Sequence, residues 1–191
     1  MGKIVVSTNV TLDGVVQDPD GKEGFGRGGW FGQFGGTDLE EWGRISLDEA
    51  LRTEALLLGR RSDEWFAARW LSRTGAWADR LNGLPKYVIS ATVEVPRWGN
   101  ATVLTGDVAS EVAALKEKLA GEIVVYASYQ LVDALLAHGL VDELRLTVFP
   151  VVLGEGRRLF DAAAGPAPMR LRDRVNVGAG LVLLTYETVR S

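Results

Sequence analysis

The sequence predicts an α/β protein with a mixed, mostly parallel sheet flanked by helices and finished by a C-terminal antiparallel β-hairpin. Two observations carry this. Apolar, β-branched runs alternate with stretches of helical spacing up to Gly139, and two strand-like runs then meet at Gly178-Ala179-Gly180. Repeated strand-helix-strand units favour parallel pairing, because the helix returns the chain to the same end of the sheet.

Residues 3–10 (KIVVSTNV) read as a buried strand that ends in a turn at Leu12, Asp13 and Gly14. Residues 15–43 are rich in Gly, Asp and aromatics and are expected as one long loop, far beyond the usual connection of about 4–6 residues. Trp30, Phe31, Phe34 and Trp42 argue against plain disorder, so the loop is read as a lid or pocket wall, with Gly28, Gly29 and Gly32 as hinges. Ser46 followed by Glu49 has the spacing of a capping box and predicts a short helix, after which Ala55 to Leu58 form a strand. A helix starts at Arg60 and runs to about Phe66, and a polar stretch reaches Gly83. Lys86 to Ser90 and Thr102 to Leu104 are short strands. Apolar residues at 108, 112, 115 and 119 give one face of a helix. Ile123 to Ala127 is an apolar strand, and Ser128 caps a helix that carries Leu131, Leu135 and Leu136 and stops at His138 and Gly139. Glu143 to Leu153 is a long strand, and Met169 to Val177 and Leu181 to Val189 form the hairpin. No repeat or composition shift marks a second domain, so residues 1–191 are expected as one.

Composition excludes several chemistries. With no cysteine there is no disulfide or thiolate metal site, and with His138 as the single histidine there is neither a histidine metal cluster nor an ordinary Ser/His/Asp triad, so no metal is expected. A net charge of −4 argues against a nucleic-acid footprint. No apolar run reaches the ~18 residues of a membrane span, and no signal-peptide pattern opens the chain, which predicts a cytoplasmic protein.

In an open α/β sheet, ligands bind at the carboxyl ends of strands, so the residues after each strand are the informative ones. Gly59-Arg60-Arg61-Ser62 combines a tight turn, a helix N-terminus and two guanidiniums, the parts of a phosphate site. Ser90-Ala91-Thr92 offers hydroxyls to phosphate or ribose, with Lys86 and Arg97 as nearby charges. Ala127, Ser128, Tyr129, Gln130 and Leu131 form another helix start, suited to a pyrophosphate. Each junction alone also fits ordinary strand-to-helix packing, and neither GxGxxG nor a Walker pattern is present. Asp13 has two readings: an Asx-type turn with Gly14, or a functional acid that orients a polar heterocycle or relays a proton once burial raises its pKa. Trp30 and Phe31 are the aromatics expected to line a substrate pocket.

Five blocks in order resemble one family. VSTNVTLDGVV is similar to the Ser-x-Asp-Gly opening of the reductase half of the bifunctional riboflavin-biosynthesis deaminase/reductase. ALLLGRRSDEWF resembles its strand followed by Gly-Arg-x-Thr, and LPKYVISATVE its strand ending in Ser-x-Thr. EIVVYASYQLVDALLAHGLVDELRLTVFPVVLGEGRRLF resembles its strand, Gly-Ser turn and helix, and then its GLVDEL and P-V-x-L-G-x-G-x-x-L-F segments. The resemblance implies a three-layer dihydrofolate-reductase-like fold, NADPH as hydride donor, a small heterocyclic or carbonyl substrate, and a homodimer. It places NADPH on Gly59, Arg60, Arg61, Ser62, Ser90, Thr92, Ala127, Ser128, Tyr129, Gln130 and Leu131, and a catalytic role on Asp13. The match departs at Ala127, where the family usually has glycine, and at Tyr129 and Gln130, where it has glycine or threonine. The zinc-deaminase ligands H-x-E and P-C-x-x-C are absent. The expected function is therefore a stand-alone NADPH-dependent reductase. A non-catalytic nucleotide-binding dimer that kept the fold is the alternative, and a flavin in place of NADPH would colour the protein yellow.

Overall fold

A computed structural model describes residues 1–160 and 165–189. Among the described residues fourteen elements follow one another: β1 (Lys3–Thr11), α1 (Trp30–Gly35), α2 (Asp38–Arg52), β2 (Thr53–Gly59), α3 (Arg60–Trp70), α4 (Ala76–Gly83), β3 (Lys86–Ile89), β4 (Ala101–Leu104), α5 (Val108–Lys118), β5 (Glu122–Tyr126), α6 (Tyr129–Ala137), β6 (Glu143–Phe149), β7 (Met169–Val177) and β8 (Leu181–Thr188). The strands take the order β4-β3-β2-β5-β1-β6-β8-β7, a mixed sheet in which β2, β3, β4 and β5 pair in parallel and β6, β8 and β7 are antiparallel. The chain divides into two compact units, Met1–Val6 with Ser46–Asp142 and Ser7–Ile45 with Glu143–Ser191.

In the first unit, β2 lies between β3 and β5, which is why its sequence is a continuous apolar run rather than an alternating one. Leu56, Leu57 and Leu58 are fully buried, and each such side chain stabilises the fold by about 1.5–3 kcal/mol. Leu56 and Leu58 share a cluster with Trp70 of α3, Leu81 of α4, Val88 of β3, Val124 of β5, and Trp98. The stretch expected only as a connection contains α4, whose Ala78 and Leu81 are the buried residues. Its Arg80 reaches back to the end of α2: Nε donates to the Ala50 carbonyl at 3.0 Å and Nη2 to that of Thr53 at 2.6 Å. The Ala50 carbonyl is one of the last four of α2, which have no acceptor role within the helix, and Thr53 is the residue that follows the helix and opens β2.

The helix expected to open at Ser46 begins eight residues earlier, at Asp38. Its acidic first turn, Asp38, Glu40 and Glu41, complements the helix dipole. Glu49 is not a cap: it is buried in the last turn of α2, and its carboxylate accepts from the Tyr126 hydroxyl at 2.8 Å. In the second unit, the carboxylates of the first turn hold the β7–β8 turn. Glu41 accepts from the Gly178 N–H at 2.8 Å, and Asp38 from the N–H groups of Ala179 and Gly180 at 3.1 and 2.7 Å. Gly178 has φ +62°, and a Cβ there would collide with the Asp38 carboxylate.

The core of the second unit is Val15, Trp30, Phe149, Leu153, Val177 and Leu181. Trp30 meets Phe149 edge-on at 5.3 Å and Phe31 meets Trp42 at 4.8 Å, arrangements that aromatic quadrupoles favour. β6 ends at Phe149, shorter than the strand expected to reach Leu153, because Pro150 cannot donate to a ladder. β7 is exposed from Arg170 to Asn176. Among the described residues no helix is long and apolar enough to cross a membrane.

Candidate functional site

Three of the sequence-derived turns share one edge of the first unit. Gly59 and Ile89 stand in register at the ends of parallel β2 and β3, and β5 runs parallel to β2 on its other side. The turns after these strands therefore emerge side by side. The first and third are joined: the Gly59 N–H donates to the Ser128 hydroxyl at 3.1 Å. With its Oγ engaged in this way, Ser128 makes no side-chain cap on α6, and Gly59, having no side chain, makes none on α3. The leading N–H groups of a helix lack intrahelical acceptors, so both starts present donors suited to an anion.

The turn into α6 is strained. Ala127 and Ser128 have φ of +50° and +58°, successive left-handed residues without a glycine, and that conformation costs an L-residue roughly 1–2 kcal/mol. Leu131 is buried, Tyr129 half-buried and Gln130 exposed. Their side chains thus divide between packing and solvent.

A pocket of about 280 Å³ is lined by Arg60, Asp63, Glu64, Thr92, Val93, Glu94, Val95 and Arg97. Arg60 and Thr92, from two different sequence-derived turns, thus meet in one concavity. Ser90 braces the second turn, its Oγ accepting from the N–H groups of Thr92 at 3.2 Å and Val93 at 3.1 Å. Arg61 is exposed and Ser62 buried, and neither lines the pocket. Lys86 does not supply charge to this turn. It is 1% exposed, and its ammonium donates to the carbonyls of Asn82 and Leu84 at 2.9 and 2.8 Å.

The acids of the pocket were missed by sequence reasoning, although Glu64, four residues after Arg60, has the spacing of a helical ion pair. That pair forms, at 3.2 Å. Buried Asp63 accepts from the N–H groups of Arg97 at 2.6 Å and Trp98 at 3.0 Å, which fixes the loop carrying Glu94 to Arg97 against α3.

Asp13 belongs to the second unit, and its carboxylate is a clamp. Oδ1 accepts from the Thr11 hydroxyl at 2.7 Å and the Leu153 N–H at 3.1 Å, and Oδ2 from the Gly154 N–H at 2.8 Å. Burial pushes its pKa up, but the hydrogen bonds from Thr11, Gly154, Leu153 and its own backbone together outweigh burial and lower it to about 2. The expectation of a proton relay required the opposite direction, so Asp13 is a permanent carboxylate at neutral pH.

The long loop is also built differently from a glycine-hinged lid. Buried Asp18 accepts through its carboxylate from the N–H groups of Glu23 and Phe25, both at 3.0 Å, and through its carbonyl from Gly29. Gly28 sits so close to the Asp18 carboxylate that a Cβ would collide with it. Trp30 opens α1, is fully buried, and donates its indole N–H to the Gln17 carbonyl at 2.9 Å. It therefore fills the core and has no open face for a substrate. Phe31, half-buried, packs on the same core against Trp42 and Phe149. Among the described residues no group of His, Asp and Glu side chains could hold a metal ion.

The architecture is that of the dihydrofolate-reductase-like proteins. Enterococcus faecalis dihydrofolate reductase complexed with NADP(H) superposes with a TM-score of 0.62 at 15% identity, over 97% of this chain and 96% of that one. A Shewanella sp. PV-4 protein whose structure is described under riboflavin biosynthesis superposes with a TM-score of 0.77 at 21% identity, over 98% and 99%. The chain belongs to the RibD C-terminal domain family, whose model matches residues 2–183. A Bacillus subtilis (strain 168) relative, the uncharacterized protein YyaP, is 32% identical over 102 residues, so the match spans 53% of this chain and 53% of that protein. The chain thus belongs to the RibD C-terminal domain family and has the dihydrofolate-reductase-like fold.

Proposed function

We propose that this protein is a stand-alone NADPH-dependent reductase that transfers hydride to a small heterocyclic or carbonyl substrate, with residues 1–191 acting as one domain and the chain working as a homodimer. The observation that carries the reading is the pair of joined, uncapped helix starts at Gly59 and Ser128, in the same unit as a pocket lined in part by Arg60 and Arg97. NADPH calls for N–H donors at its pyrophosphate and cations at its 2′-phosphate, and the first unit has both uncapped helix starts and arginines.

In this reading the N–H groups at the start of α6, from Ser128 to Leu131, hold the pyrophosphate. Gly59 and Ser62 carry the turn that brings Arg60 to the 2′-phosphate, and the Ser90–Thr92 turn presents Thr92 to the ribose or phosphate oxygens. Arg61 adds positive potential from the surface. The nicotinamide, when bound, supplies the hydride. Asp13 is an ionised positioning residue that fixes the Leu153–Gly154 turn, so the proton that completes reduction comes from the substrate or solvent and not from Asp13. For the dimer, the support is the exposed course of β7, where Leu171 and Val175 are 49% and 37% exposed.

Titration with NADPH, followed by tryptophan fluorescence, tests the reading. Saturable binding below millimolar concentration, together with substrate-dependent loss of reduced-nicotinamide absorbance, is expected. Absence of saturable binding refutes it and leaves a non-catalytic protein with the fold.

A further inference from the structure

Resting on the reductase reading, we infer that Glu64 is a specificity-determining residue that holds the preference for NADPH over NADH below about tenfold. The residues that line the pocket assigned to the 2′-phosphate include two basic ones, Arg60 and Arg97, and three acidic ones, Asp63, Glu64 and Glu94. Asp63 is engaged by the N–H groups of Arg97 and Trp98. Glu64 is engaged by the very group a phosphate would use, since its Oε1 accepts from Nη1 of Arg60 at 3.2 Å. Glu94 stands on the facing loop, and among the described residues the pocket lining holds no cation for it beyond those two arginines.

A 2′-phosphate carries about −1.5 to −2 charges near pH 7. To reach Arg60 it must displace the Glu64 carboxylate and then sit beside it. A ribose with a free 2′-hydroxyl meets no such repulsion, and Glu64 and Glu94 can accept its hydrogen bond. The ion pair is open to solvent, with side chains 44% and 47% exposed, so it tolerates displacement and weakens phosphate binding without forbidding it. Glu64 therefore narrows the gap between the two cofactors.

The test is equilibrium binding of NADPH and NADH to the whole protein and to Glu64→Gln, by fluorescence or calorimetry at low and high salt. Glutamine keeps the size and removes the charge, and a thermal melt checks that each variant is folded. The expected result is an NADPH Kd tightened by roughly five- to tenfold, an NADH Kd changed by less than about twofold, and a difference that shrinks at about 0.5 M salt as the charges are screened. In an Arg60→Gln background the same substitution should tighten NADPH by a smaller factor, because the competition for Arg60 is gone and only the repulsion remains, whereas a purely structural role for Glu64 would give the same change in both backgrounds. If both cofactors bind and Glu64→Gln leaves their ratio as it was, this inference is overturned while the reductase reading stands. If neither cofactor binds to any variant, both are overturned.

Discussion

Replacing Lys86 by methionine should change how stability depends on pH, and the structure gives the size of the change. Lys86 enters β3 with 1% of its surface exposed, its ammonium held by two carbonyls and lying 4.5 Å from the Trp98 ring. Burial lowers its pKa from 10.5 to about 8, and it does so against the pull of Asp63, whose charge favours the cation. Folding therefore holds the ammonium in an environment that penalises its charge. Below about pH 8 the full penalty applies; between about pH 8 and about 10.5 the unfolded chain binds more protons than the folded one, so stability rises with pH. At about 1.4 kcal/mol for each pH unit across that interval, the gain is about 3 kcal/mol. Urea denaturation of wild type and Lys86→Met in parallel isolates it, because the other titrating groups cancel in the difference. The two lost hydrogen bonds offset the curves by an amount independent of pH, so the slope is the readout. Wild type should gain about 2–3 kcal/mol on the variant from about pH 7 to about pH 10. A flat difference would refute the reasoning and show that the carbonyls and Trp98 fully compensate for lost hydration.

Ala127→Gly should stabilise the protein by about 0.5–1 kcal/mol, the relief of a left-handed alanine less the added freedom of glycine in the unfolded chain; denaturant titration measures it, and destabilisation of about 1 kcal/mol would contradict strain at this turn. Asp13→Asn should flatten the acid side of the stability curve. The folded pKa of Asp13 is depressed from 3.8 to about 2, so its contribution is present above pH 3.8 and lost as pH falls through about 2. A pH series of thermal melts checks this, and a wild-type curve no steeper than the variant's in that window would count against the clamp.

What the sequence made legible follows from where the determinants lie along the chain. The turns at Gly59, Ser90 and Ala127 could be read because β2, β3 and β5 are buried strands with strong apolar runs that stop abruptly at small or polar residues. The start of α2 could not, since its acidic first turn is completed by a hairpin turn about 140 residues away. Asp13 failed for the same reason: Leu153 and Gly154, its N–H donors, are distant in sequence, and without them a carboxylate just past a buried strand looks like a candidate for a raised pKa. Lys86 reads as a surface cation until the carbonyls of Asn82 and Leu84 are placed around it. Trp30 shows the limit of composition, because glycine neighbours suggested mobility where the loop is wound on Asp18.

The strained turn at Ala127 and Ser128 bears on the function more than any side chain there. A strand-to-helix connection that served packing alone would be relieved by glycine at no loss, whereas here two successive left-handed residues set the start of α6 and the Ser128 hydroxyl ties it to Gly59. In the proposed function, recognition through backbone donors tolerates Tyr129 and Gln130, whose side chains need make no contact with the ligand, provided the backbone path is kept. Stability and cofactor affinity therefore separate at this turn, and one substitution tests both. Ala127→Gly should raise stability while leaving the NADPH Kd within about threefold, because the N–H groups remain where the Ser128–Gly59 hydrogen bond holds them. A large loss of affinity with unchanged stability would instead place the determinant in the alanine methyl and remove the backbone argument for this site.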